Sequence, residues 1–167
     1  MSILNYKLQL LETDNVEFIF VKKIANLTPT EITEINNSHS KCFGSIFESN
    51  KNICILKFNN EIVAYCVILG HDIWSVCKTI KGDKYKGICK RLIAEVAKYY
   101  KNTLKLRELF LYVRISGTDP LGNTGKNIAA IKCYQSNNFK FVHINKNGTL
   151  ISKSNNQNKK GNEYFTE

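Results

Sequence analysis

The chain has 167 residues, 43% hydrophobic and 11% aromatic, with only two prolines; this suits one globular domain with a proper core and excludes a disordered chain. A formal net charge of +10 and a pI near 9.3 call for an anionic partner, whether nucleic acid, acidic lipid or a phosphorylated cofactor. No run approaches the ~20 apolar residues of a membrane span. The opening stretch MSILNYKLQLLETDN lacks the pattern of a signal peptide.

The first strand is expected over Val16–Ile24. Thr28 then reads as an N-cap, with Pro29 at the first helical position and Glu31 completing a capping box, for a helix running to about Ser38. His39–Asn50 is looser and suits a short helix or a substrate loop. Asn52–Phe58 and Ile62–Leu69 form a hairpin around Asn59-Asn60, residues that tolerate positive φ. Gly70-His71-Asp72 turns the chain into a third antiparallel strand, Ile73–Ile80. A helix from Gly87 to Asn102 follows, with Ile88, Leu92, Val96 and Tyr99 or Tyr100 on one face. Glu108–Ile115 is the next strand, and strand–helix–strand at this length calls for a right-handed parallel crossover.

Ser116–Lys126 is a glycine-rich loop, and Asn127–Ser136 has a helical pattern. Phe139–Ile144 and Thr149–Ile151 make a last hairpin around Asn147-Gly148. The expected layout is one domain over 1–152 and a mobile, polar, basic tail over 153–167. Six cysteines (Cys42, Cys54, Cys66, Cys77, Cys89 and Cys133) contain no CxxC and no Cys–His cluster. They imply free thiols, no metal, and a reducing, cytoplasmic setting.

The chemistry concentrates at Lys81–Tyr100. A basic, glycine-containing turn leads into a helix, where unpaired backbone N–H groups, the helix dipole and lysine charge all favour an anion. Lys78, Lys81, Lys84, Lys86, Lys90 and Arg91 also fit a plain solvated basic face.

Two separated stretches resemble the signatures of the GNAT N-acetyltransferases. Lys84-Tyr85-Lys86-Gly87-Ile88-Cys89 is similar to that family's R/Q-x-x-G-x-G/A loop. Asn127-Ile128-Ala129-Ala130, Tyr134 and Asn138-Phe139 are similar to its N-x-x-A-x-x-x-Y-x-x-x-G-F. Lys84 replaces Arg or Gln, keeping charge but losing the bidentate fork. Cys89 and Asn138 stand where small residues are usual, and Asn138 tolerates the left-handed backbone.

The resemblance implies an α/β (α+β) fold: a mixed, largely antiparallel sheet with a parallel strand–helix–strand unit and helices on both faces. It implies acetyl-CoA as acyl donor and an amine, of a protein or a small molecule, as acceptor. The amides of Lys86, Gly87, Ile88, Cys89 and Lys90 would hold the pyrophosphate, assisted by the charges of Lys84 and Lys86. The backbone around Cys77–Thr79 would pair with the pantetheine arm, and Asn127 would help hold the cofactor. Tyr134 would be the general acid for the departing thiolate, as well as a cofactor neighbour.

No general base is assigned. The resemblance implies that a carboxylate base, where the family has one, lies near the start of the fourth strand; Ile73 stands nearest that place and cannot serve, while Asp72, His71 and Glu108 suit structural or solvent roles better. Cys89 at a helix start is a candidate nucleophile, but no histidine is placed to serve it. His39, His71 and His143 have no ligand-like spacing. Two other functions remain open at this level: a basic nucleic-acid-binding module, and a GNAT-like protein that binds acyl-CoA without transfer.

Overall fold

The computed structural model describes residues 8–10, 14–45, 47, 50–70, 72–105, 109–111, 113–114, 133–134, 136–137, 139–144, 149–152 and 164–166. In chain order the strands and helices are β1 (Leu8–Gln9), β2 (Glu17–Val21), α1 (Pro29–Phe43), β3 (Asn52–Phe58), β4 (Glu61–Leu69) and β5 (Asp72–Lys78). Then come β6 (Tyr85–Lys86), α2 (Ile88–Asn102), β7 (Leu109–Leu111), β8 (Val113–Arg114), β9 (Phe139–Ile144), β10 (Thr149–Ser152) and β11 (Tyr164–Thr166). Cys133, Tyr134 and Ser136 are also helical. Asn127, the loop Ser116–Lys126 and the turn Asn147-Gly148 lie outside the described residues.

α1 starts as its sequence predicts. Thr28 Oγ1 accepts from the Glu31 amide at 3.2 Å, and Glu31 Oε1 accepts from the Thr28 amide at 3.0 Å, with Pro29 at the first turn. The helix continues past Ser38 to Phe43 and stops at Gly44, which takes the left-handed φ of 70° and donates its amide to Ser40. Glu31 also meets Lys57 Nζ at 2.7 Å. That lysine, with the Thr28 amide, holds the Glu31 carboxyl below its usual range. A carboxylate lowered on folding stabilises fully above its unfolded value near ~4.3, and the contribution disappears as pH falls through the lower folded value. Thr28→Ala should therefore cost about 0.5–2 kcal/mol in urea unfolding at neutral pH. The stability gap between the native chain and Glu31→Gln should close on acidification; a gap constant with pH would remove Glu31 from the cap.

β2 to β5 form an antiparallel meander, and Asn59 and Asn60, with φ of 53° and 63°, make its tight β3–β4 turn. β5 then pairs β7 in parallel through Asp72↔Phe110 and Ile73↔Leu111, as the strand–helix–strand spacing predicts. β3 and β4 read as unbroken apolar runs because the sheet is covered on both faces. Cys54, Leu56, Ala64, Cys66, Ile68 and Ile73 face α2, where Ile88, Leu92, Val96 and Tyr100 meet them. Ile53, Ile55, Tyr65 and Val67 face α1, against Ile35. Each such fully buried aliphatic side chain contributes about 1.5–3 kcal/mol of transfer free energy.

Two expectations are corrected. Cys42 and Cys77 form a disulfide joining α1 to β5, so the thiols are not all free and the argument from free thiols to a reducing compartment loses its premise. Cys54, Cys66, Cys89 and Cys133 are free. The C-terminal stretch is not uniformly a polar tail either. Tyr164–Thr166 is β11, inserted between β7 and β9 and antiparallel to both, because its run of β-formers fills a gap that would leave two strand edges unpaired. Among the described residues no helix is long and apolar enough to cross a membrane.

Candidate active site

β5 carries an irregularity that shapes everything after it. Trp74 pairs Val67 and Cys77 pairs Tyr65, so Ser75 and Val76 together oppose Cys66 alone. Ser75 takes a left-handed φ of 51° to accommodate the extra residue. A bulge of this kind bends its strand and raises its twist. β7 accompanies β5 only at Asp72 and Ile73; beyond Leu111 the chain passes to β8, which pairs with β10. Past Ile73, β5 thus has β4 on one edge and, among the described residues, no strand on the other.

The hydrogen-bond phase of that edge decides which amides face the opening. Thr79 donates its amide to Val63 O at 3.0 Å, and the register Ala64↔Lys78, Tyr65↔Cys77 continues from it. Alternation along an antiparallel ladder turns the amides of Cys77 and Thr79 toward β4 and that of Lys78, between them, away from it. Within the stretch Cys77–Thr79, the Lys78 amide is therefore the one turned to the opening. Thr79 is structural: 3% exposed, its Oγ1 donates to Ile62 O at 2.6 Å and accepts from the Gly82 amide at 3.2 Å.

A 3₁₀ turn over Lys81–Lys84 leads to β6, which pairs in parallel with β1 through Leu8↔Tyr85 and Gln9↔Lys86. Leu10 donates its amide to Lys86 O at 2.8 Å and buries its side chain beside Tyr85 and Ile88. Gly87 follows with a left-handed φ of 82° and opens α2. The first helical bond runs from the Arg91 amide to Gly87 O, so the amides of Ile88, Cys89 and Lys90 precede the ladder. No side chain caps them, and no acidic residue stands in the first turn. Ile88 is 1% exposed and pins the turn to the core, while Lys86 and Lys90 are exposed.

The basic residues divide. Lys84 Nζ lies 3.1 Å from Glu61, and Lys81 meets Glu34 at 2.6 Å. Lys78 and Lys41 approach Asp83, and Arg91 pairs Glu95. Lys84 is therefore partly neutralised, while Lys86 and Lys90 stand exposed on either side of the first amides of α2.

Tyr134 is brought beside this turn. It is 5% exposed, its ring 6.4 Å from that of Phe139, in the same core cluster as Ile88 and Leu92. Its neighbour Cys133 touches Cys89, and Asn137 Nδ2 donates to Lys90 O at 3.0 Å. Among the described residues no three His, Cys, Asp or Glu side chains gather as metal ligands.

The sequence reading missed two features. His39 is buried, with Nδ1 2.7 Å from Tyr65 Oη among Phe43 and Phe47; burial pushes the Tyr65 phenol up, so both act as core groups. The other is β1. Its alternation KLQL was readable as a strand, but nothing local names a partner so distant along the chain.

No protein-family profile matches this sequence, and no curated protein matches it. Solved structures do match. The N-acetyltransferase PseH of Campylobacter jejuni, in complex with acetyl coenzyme A, superposes with a TM-score of 0.54 at 20% identity, covering 84% of this chain and 100% of its own. Escherichia coli ElaA gives 0.57 at 12% identity over 90% of this chain and 99% of its own. The spermidine N-acetyltransferase SpeG of Vibrio cholerae gives 0.57 at 12% identity, over 90% and 92%. The chain has the GNAT N-acetyltransferase fold. Its mixed sheet, two-sided helix cover and parallel β5–α2–β7 unit are that architecture.

Proposed function

We propose that this protein is an N-acetyltransferase that takes its acetyl group from acetyl-CoA and passes it directly to an amine. The observation that supports it most is the continuity of three features. The opened edge of β5, the left-handed turn at Gly87 and the uncapped start of α2 form one path suited to a thioester, a pantetheine arm and a pyrophosphate. The amides of Ile88, Cys89 and Lys90 would bind the pyrophosphate, with Lys86 beside them. The Lys78 amide, on the open edge of β5, would pair with the pantetheine arm or polarise the thioester carbonyl. Asn127 would help hold the cofactor.

Tyr134 would act as general acid, its hydroxyl giving a proton to the thiolate released when the amine attacks. A thiol of pKa near ~8.5 leaves adequately unaided, so Tyr134→Phe should lower turnover by only about 10- to 100-fold. Acetyl-CoA affinity should stay nearly unchanged, since the phenol acts on the leaving group. A large loss of affinity would make Tyr134 a packing residue instead.

Calorimetric titration of the folded protein with acetyl-CoA, followed by thiol release across a panel of protein and small-molecule amines, tests the whole reading. Absence of binding would overturn it. Binding without turnover on any amine would leave an acyl-CoA-binding protein.

A further inference from the structure

Four thiols sit on the α2 side of the sheet, and their environments differ sharply. Cys54 and Cys66 face each other across β3 and β4 and are completely buried, at 0% exposure each. Cys89 and Cys133 are partly exposed, and Cys133 Sγ lies 2.9 Å from Cys89 Sγ, in donor-to-acceptor orientation. The two come from different helices, 44 residues apart in sequence. They are held in place independently of their own contact, because Asn137 Nδ2 bridges Lys90 O at 3.0 Å and Cys133 O at 3.1 Å.

We propose that Cys89 and Cys133 are a redox pair, closed by a hydroperoxide into a reversible disulfide that staples the first turn of α2 to the helix carrying Tyr134. A disulfide is ~2.05 Å long, so the sulfurs need approach by only roughly 0.9 Å. Cys89 is the attacking sulfur. It stands at the second position of α2, where the helix dipole and unpaired amides favour a thiolate, and it receives the Cys133 S–H. That hydrogen bond, with the charge of Lys78, lowers the Cys89 thiol against the opposing effect of burial; the same contact raises Cys133.

The Cys89 thiolate attacks one peroxide oxygen. The O–O bond breaks, the other oxygen leaves as hydroxide and takes the proton released from Cys89 as water, and a sulfenic acid forms. Cys133 sulfur then attacks Cys89 sulfur: S–S forms, S–OH breaks, and the hydroxide leaves with the Cys133 proton as a second water. The thiol pair loses two electrons and hydrogen peroxide gains them.

This inference extends beyond acetyl transfer and does not depend on acetyl-CoA binding. The full-length protein is exposed to hydrogen peroxide, quenched with an alkylating agent, digested and analysed by mass spectrometry. A peptide pair joined through Cys89 and Cys133 is expected, reversed by dithiothreitol, with Cys54 and Cys66 alkylated only after unfolding. The oxidised protein should melt roughly 5 °C higher, since the staple constrains its unfolded chain. Cys133→Ser should leave a sulfenic acid at Cys89, trapped by dimedone, and no staple. If Cys89 and Cys133 stay fully alkylatable, or oxidation joins different cysteines or different chains, the proposal fails. Loss of acetyl-CoA binding by the reduced protein would instead count against the transferase reading and leave the staple untouched.

Discussion

Gly87→Ala should weaken acetyl-CoA binding by about 10-fold or more, because two separate costs fall on one residue. The backbone there has φ of 82°, and a side chain in that region costs about 1–2 kcal/mol, itself roughly a tenfold change in an equilibrium. A Cβ would also stand 2.7 Å from Gln9 Nε2 and 3.3 Å from Leu10 O. The first neighbour is the tip of a flexible side chain and can swing aside; the second is backbone of the residue that follows β1 and is bonded to Lys86 O. Gly87→Asn separates the two costs, since asparagine tolerates the left-handed region but still carries a Cβ. Partial recovery in Asn relative to Ala assigns the loss to backbone strain. Equal loss assigns it to the contact with β1. Native affinity in the alanine variant, read by calorimetry, would take Gly87 out of the cofactor turn.

Gly82→Ala is expected to destabilise the chain by about 2–5 kcal/mol. The added carbon would run into Val63 O and sit 2.8 Å from Lys78 Cγ. Neither the strand carbonyl nor the 3₁₀ turn can yield without breaking the Gly82 amide's bond to Thr79 Oγ1. At about 2–4 °C per kcal/mol for a chain of this size, the melting temperature should fall by roughly 4–20 °C. Thr79→Val removes only the hydrogen bonds and should lose less. An alanine variant melting within ~2 °C of the native chain would show that the turn relaxes freely.

Features set by neighbouring residues were legible in the sequence. The capping box at Thr28 and Glu31, the asparagine turn at residues 59 and 60, and the basic glycine turn before α2 all depend on short-range geometry, and each is found where its residues predict. What escaped depends on pairing at a distance. The β1–β6 ladder, the Cys42–Cys77 bridge and the insertion of β11 join segments whose own residues carry no mark of their partners. The opened strand was legible as a place, but the direction in which each of its amides points was not. Their phase follows from a bulge at Ser75, a residue with no special standing as a turn former at such a φ.

That bulge gives β5 a property best described as parity. In an unbroken strand Ile73 and Cys77, four residues apart, would point the same way. Here Ile73 packs under α2 while Cys77 is bonded to α1, so one extra residue lets a single strand serve both sides of the sheet. Losing or gaining one residue between them would exchange inside for outside along everything downstream, including the amides turned to the opening. Changes of length in this strand are therefore tolerable only by twos.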